Sequence, residues 1–212
     1  MNLNPFASAW PVPPERVPDP PRDVPPTPEP QAVVLGGGCF WCTEAVFLPL
    51  DGVLGVTSGY AGGTAATANY RDVCSGATGH AEVIRVRFDS SKITFGELLK
   101  VFFTVAHDPT QRNRQGNDYG PQYRSAIFYA DEAQREAAEA YVRVLNESGV
   151  FGKKVQTTLE PLDAFYEAEA HHQDYAARNA SQPYIVGVAQ PKVEKLREHF
   201  GDRLQGRAQT PA

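Results

Sequence analysis

Apolar residues along this chain occur in short continuous runs, in strict alternation and at helical spacing, and each pattern predicts a different element. Ala32 to Leu35 form an apolar run in front of three glycines, the pattern of a buried strand. In HAEVIRVRFD, residues 80–89, the period is two: Ile84, Val86 and Phe88 share one face, Arg85 and Arg87 the other. Glu82 falls in phase with the apolar face. The glycine-bounded run GVLGVTSGYAGG predicts another strand, as do RSAIFYA and KVQTTLEP. Helical spacing covers CFWCTEAVFLPL, with Phe40, Ala45, Val46 and Phe47 inward and a stop at Pro49 and Asp51-Gly52. TFGELLKVFFTVAHDP predicts a second helix, opened by a Thr94–Glu97 capping box and ended at Asp108-Pro109. Further helices are predicted from Asp131 to Glu147, through DAFYEAEAHHQDYAARN, and over PKVEKLREHF, whereas YRDVCSGATGH reads as a polar loop. Strands alternating with helices, without an internal repeat, predict an α/β or α+β sandwich with one sheet covered by helices.

Composition narrows this picture. With 212 residues and 42% hydrophobic content, one globular domain with a buried core is expected. A net charge of -5, without clustered Lys and Arg, excludes a nucleic-acid footprint. The start MNLNPFASAW lacks a secretory pattern, and no apolar run approaches the ~20 residues that span a bilayer. A soluble, cytoplasmic protein without membrane attachment is expected. Of the 18 prolines, 11 fall within residues 1–30, so this segment is expected to be an extended or disordered arm outside the packed core. Residues 31–200 then form the domain and 201–212 a tail.

Two of only three cysteines stand three apart in GGGCFWCTE. Cys39, in the first turn of a helix entered through a glycine turn, would face unpaired N–H groups and the positive end of the helix, which favours its thiolate. Cys42, at i+3, shares that face. A disulfide between them would close a tiny loop and add little stability, which suits a redox cycle better than a staple. Two buried small hydrophobes, or half of a zinc site, are the alternatives. Zinc needs four ligands, and no second CxxC or CxxH occurs.

Glu82 has two readings. Facing the apolar side of its strand, it would be desolvated, protonated and able to donate a proton near neutral pH; at the strand's start it would be solvated or paired with an arginine. Tyr70, Asp118 and Tyr123 lie in glycine-rich polar stretches, where Tyr hydroxyls could hold a polar oxygen or simply pack. His171 and His172 are adjacent, so one helix face cannot present both to a metal; ordinary hydrogen-bonded histidines are expected.

GGGCFWCTE, GYAGG, NYRDVCSGATGHAEVIRVRFD, HDPTQRNRQGNDYGPQYRSAIFY and HHQDYAARN, in this order between Ala32 and Phe200, resemble the A-type peptide methionine sulfoxide reductases. The resemblance implies an α+β fold: a two-layer α/β sandwich whose ferredoxin-like mixed sheet is covered by helices and carries long irregular loops. It implies that Cys39 attacks the sulfoxide sulfur. Glu82, helped by Tyr70 and Tyr123, protonates the oxygen. Phe40 and Trp41 wall a pocket for the substrate methyl, fitting the S epimer, and Asp118 and His172 position the tyrosines and line the site. Cys42 resolves the resulting sulfenic acid into a Cys39–Cys42 disulfide that thioredoxin reduces, with no metal or cofactor and a monomeric enzyme. Relatives often carry a further recycling cysteine in a PYC segment; this chain reads QPYIVGV, with Ile185 at that position. Cys74 is expected to be a buried structural thiol, with a fallback resolving thiol as the alternative. A general disulfide oxidoreductase of thioredoxin type is the nearest alternative, since strand, CxxC and helix occur there too.

Overall fold

The computed structural model describes residues 12–206. Strand β1 (Gln31–Gly37) leads through Gly38 and Cys39 into α1 (Phe40–Phe47), and β2 (Val53–Ala61) follows. A short helix, α2 (Tyr70–Cys74), precedes β3 (Ala81–Phe88). Helix α3 (Phe95–Val101) runs on into a π-helical turn, Phe102–Ala106. The ribbon β4 (Arg114–Gln115) and β5 (Asp118–Tyr119) leads to β6 (Ser125–Tyr129) and the long α4 (Glu132–Ser148). The chain closes through β7 (Thr158–Pro161), β8 (Phe165–Glu167), α5 (Tyr175–Arg178) and α6 (Gln190–His199).

Six strands form one mixed sheet in the order β7-β6-β1-β3-β2-β8. The central four, β6-β1-β3-β2, are antiparallel throughout, with α1 joining β1 to β2 and α3 lying between β3 and β6. That is the ferredoxin-like βαββαβ arrangement expected above. β8 extends it antiparallel on β2, and β7 adds a parallel strand on β6.

Alternation decides which face is the core. Val33 and Leu35 of β1 join Ile84, Val86 and Phe88 of β3, with Phe47 of α1, Leu98 of α3 and Tyr141 of α4, in one buried cluster. Burying each such side chain stabilises the fold by roughly 1.5–3 kcal/mol. The opposite face is thinner: Val34, Val83, Ala126 and Phe128 pack with Leu162 and Phe165, and the Arg85 guanidinium lies 4.5 Å over the Phe165 ring. α3 opens with the expected reciprocal cap, Thr94 accepting from the Glu97 N–H at 3.2 Å and Glu97 from the Thr94 N–H at 2.8 Å.

Three expectations are corrected. DAFYEAEAHHQDYAARN is not one helix: Phe165–Glu167 pairs with β2, Ala170–His172 makes a 3-10 turn, and only Tyr175–Arg178 is α-helical. Pairing of Tyr166 with Tyr60 captures the first part, and Asp174, in the left-handed region at φ 51, breaks the rest. YRDVC is helical, because the Asn69 side chain accepts from the Asp72 N–H and caps it. The proline-rich segment, from Val12 on, is not detached, and apart from a 3-10 turn at Pro14–Arg16 it carries no helix or strand up to Pro30. Val17 is 3% exposed and part of the core, the Tyr141 hydroxyl donates to the Pro18 carbonyl at 2.9 Å, and Lys100 donates to the Val17 carbonyl at 2.5 Å. Prolines donate nothing, but carbonyls in such a segment stay free to accept, and the folded domain supplies the donors. Residues 1–11 of the expected arm and 207–212 of the expected tail lie outside the described residues. Within the tail, Leu204 bridges to Leu50 and Gln205 donates to the Leu50 and Val53 carbonyls.

Candidate active site

The three glycines end β1 in a confined place. Gly38 has φ +87, a conformation that L side chains rarely adopt, and a Cβ there would stand 2.7 Å from the Gln115 side chain. Gln115 is itself fixed, accepting from the Asp108 N–H at 3.0 Å and donating to the Asp108 carbonyl at 3.1 Å. The chain therefore turns sharply, and Cys39 becomes the N-cap of α1, its carbonyl accepting from the Cys42 and Thr43 N–H groups. Cys39 is 8% exposed and Cys42 1%.

Both cysteines are free thiols. Burial pushes the Cys39 thiol up, and the neighbouring Cys42 pushes it further; Cys39 in turn holds the Cys42 thiol down, aided by the charge of Lys192. Against the expected Cys39 thiolate, desolvation outweighs the helix end and favours the neutral Cys39 thiol.

Glu82 is 2% exposed, and its Oε2 accepts from the Phe40 N–H, one residue past Cys39, at 3.1 Å. Burial pushes its carboxyl up to about 8, against the lowering effect of that hydrogen bond. Of the two readings of Glu82, the structure takes the desolvated one. A neutral acid thus sits against the first turn of the helix that carries the sulfur.

An aromatic box surrounds this pair. Phe40 is wholly buried, with ring centroids 5.9 Å from Tyr60, 6.5 Å from Tyr70 and 5.3 Å from His172, so it backs the site and presents no open surface. Trp41 is half-buried and stacks face to face on Tyr175 at 3.8 Å and 9°. Its Nε1–H donates to His172 Nδ1 at 3.2 Å, which leaves the His172 proton on Nε2. Burial lowers the pKa of His172 and keeps the ring neutral. Burial also pushes the Tyr70 and Tyr123 hydroxyls up, so both remain protonated donors.

Asp118 does not hold Tyr70 or Tyr123, as expected from the resemblance. Its Oδ2 accepts from the Tyr184 hydroxyl at 2.5 Å, and that hydroxyl lies 3.9 Å from Cys42 Sγ. Cys42, Tyr184 and Asp118 form a polar chain beside the sulfurs, with Ile185 buried next along the sequence. Sequence reasoning passed over Tyr184, Tyr175 and Glu169, which accepts from the Tyr60 hydroxyl at 2.8 Å and the Tyr70 N–H at 2.9 Å. The first two stand in HHQDY and QPYIV, where an aromatic among polar residues in a loop was the available signal. Cys74, expected to be buried, is only half-buried on α2. Among the described residues no three His, Cys, Asp or Glu side chains are grouped so as to hold a metal ion, and no helix is long and apolar enough to cross a membrane.

Known proteins resemble this chain in sequence and fold. The sequence profile of the family described as peptide methionine sulfoxide reductase matches residues 31–204. A peptide methionine sulfoxide reductase MsrA of Natronomonas pharaonis is 54% identical over 173 residues, 82% of this chain and 97% of that one. An MsrA 2 of a Synechocystis species is 45% identical over 196 residues, 91% of this chain and 92% of that one. Among solved structures, reduced Mxr1 from Saccharomyces cerevisiae superposes with a TM-score of 0.68 at 33% identity, covering 78% of this chain and 94% of that one. Methionine sulfoxide reductase A of Corynebacterium diphtheriae does so with 0.62 at 38%, covering 73% and 77%. The chain belongs to the peptide methionine sulfoxide reductase family, and it is an A-type oxidoreductase acting on methionine sulfoxide.

Proposed function

We propose that the enzyme reduces the S epimer of methionine sulfoxide, free and in proteins, through a Cys39 sulfenic acid and a Cys39–Cys42 disulfide that thioredoxin recycles. The observation that carries this reading is the neutral Glu82 carboxyl bonded to the Phe40 N–H, in the first turn of the helix that Cys39 caps. A sulfoxide oxygen leaves poorly unless protonated, and Glu82 is the buried acid able to supply that proton. As it does so, the Glu82 carboxylate takes the proton of the Cys39 thiol, and the sulfur attacks the substrate sulfur. The S–O bond breaks, the oxygen passes to Cys39 as a sulfenic acid, and the thioether departs; Glu82 ends protonated again. Tyr70 and Tyr123 serve as hydrogen-bond donors to the developing oxygen charge.

Trp41, backed by Phe40, offers the apolar surface for the substrate methyl, which contributes about 0.8 kcal/mol by burial and ~0.3–1.5 kcal/mol through sulfur on an aromatic ring. Such modest recognition suits repair of oxidised methionine in many sequence contexts, in a cytoplasmic monomer. Cys42, whose thiol is held down by its partner and by Lys192, then displaces water from the sulfenic acid to form the disulfide. Two electrons from thioredoxin restore both thiols.

Stereopure methionine sulfoxides test this. Cys39→Ser should abolish turnover of the S epimer, and Cys42→Ser should release about one methionine per enzyme and then stall with a thioredoxin system. Steady cycling of Cys42→Ser would remove the resolving role. Turnover of the R epimer at the same rate would remove the stereochemical assignment.

A further inference from the structure

Glu44, two residues beyond Cys42, is 1% exposed and takes no part in the chemistry above. Its Oε1 accepts from the Asp174 backbone N–H at 3.1 Å. Asp174, at φ 51, is the residue where the chain turns between His172 and Tyr175, the hydrogen-bond partner and the stacking partner of Trp41. The segment has one more set of tethers. Gln173 accepts from the Ser58 N–H and donates to the Ser58 and Ala168 carbonyls, all at 2.9 Å, continuing the edge of β2 beyond its pairing with β8.

Tyr175 and Ala176 pack against the core, but the packing under α5 is incomplete. A cleft of about 450 Å³ runs under α5, lined by Ala45 and Leu48 of α1, Ala176 and Ala177 of α5, and Ala189 and Val193 toward α6. Where a small-residue face looks onto a void, van der Waals contacts are missing and the polar anchors set the position. Glu44 is the anchor that ties the segment to the same helix that carries Cys39 and Trp41.

We propose that Glu44 is a positioning residue for substrate binding: by gripping the turn at Asp174 it sets Tyr175 and His172 against Trp41, and so fixes the indole that receives the substrate methyl. The inference rests on the function proposed above. Burial pushes the Glu44 carboxyl up to about 7, and in either form Oε1 can accept from the Asp174 N–H, while its other oxygen is buried without a hydrogen-bond partner.

The test uses the full chain in a Trp10→Phe background, where Trp41 is the one remaining tryptophan. Glu44→Leu keeps volume and removes the acceptor. It should raise KM for methionine S-sulfoxide about tenfold while the single-turnover rate at saturation changes less than about threefold. Trp41 emission should shift as its stacking partner departs. Glu44→Gln, which retains an acceptor, should restore KM and emission. If Glu44→Leu does not fold, Gln173→Leu cuts the companion tether and should produce the same KM rise and emission shift. Unchanged KM and emission in the folded variant would overturn the proposal, as would failure of Glu44→Gln to restore them. Emission reports the positioning independently of catalysis: absent activity with a shifted spectrum would sink the functional reading and leave the positioning intact.

Discussion

At the scale of single residues, the site is governed by desolvation. Glu82 has its carboxyl pushed up to about 8 because it is buried, and the single N–H bond from Phe40 does not offset that. As an acid it is competent only while protonated, so the single-turnover rate should fall as pH rises through about 8. Glu82→Gln should lower that rate by about 10²–10⁴ and lose this alkaline limb. The contribution of Glu82 to stability should fall over the same rise in pH. A carboxyl raised above its ordinary value contributes fully below that value, near 4.5, and its contribution is lost as pH climbs through about 8. At pH 9 the Glu82→Gln variant should therefore be the more stable protein, by at most on the order of 4 kcal/mol, read from denaturant midpoints of both proteins at pH 5 and 9. No stabilisation at pH 9 relative to pH 5 would mean that Glu82 is solvated in the fold. The period-two pattern of β3 allowed this burial without deciding it, because Glu82 lies near the strand's first residue, where alternation does not separate core from solvent.

Elements add geometry that side chains alone lack. α1 is useful because the chain enters it through Gly38 in the left-handed region with Gln115 closed over the turn. Gly38→Ala should cost about 1–2 kcal/mol from the backbone conformation and more from the 2.7 Å approach to Gln115, and should displace Cys39 enough to lower the rate. Adding Gln115→Ala should relieve the contact with the Gln115 Cγ but neither the contact with its Cβ nor the conformational part, so the double variant should unfold between Gly38→Ala and the parent in urea. Recovery to the parent value would show that the backbone conformation costs nothing. Elements built on local rules were legible in the sequence: the Thr94–Glu97 capping box needs only its own side chains, and the two faces of β3 need only alternation. Elements decided by distant partners were not. Phe165–Glu167 has helical spacing around it, yet the open edge of β2 captures it as a strand, and Asp118 finds Tyr184, 66 residues away in sequence, where the resemblance had suggested the nearer tyrosines.

For the whole molecule, the proline-rich segment changes what the domain is. Residues 12–30 cross the side of the sheet layer built from α3 and α4, with Val17 in the core, Asp23 accepting from the Gly96 N–H at 2.9 Å, and Thr27 exchanging hydrogen bonds with Ser90. Its anchors Lys100 and Tyr141 belong to α3 and α4, Lys195 and His199, which bond Val12 and Glu15, belong to α6, and the sulfurs belong to α1. The segment should therefore contribute stability without touching the chemistry. Val17→Ala should destabilise by ~2 kcal/mol, a fall of about 2–4 °C in Tm for each kcal/mol in a protein of this size, with kcat/KM for the sulfoxide unchanged. Arg22→Ala, which removes a pair with Glu136 whose side chains are 53% and 41% exposed, should move Tm by less than about 1–2 °C, because exposed ion pairs contribute little. The contrast between the two variants separates a segment held by burial from one held by surface charge. If Val17→Ala melts with the parent, the segment lies on the domain without supporting it; if kcat/KM falls with Tm, the layer of α3 and α4 reaches the site through the sheet.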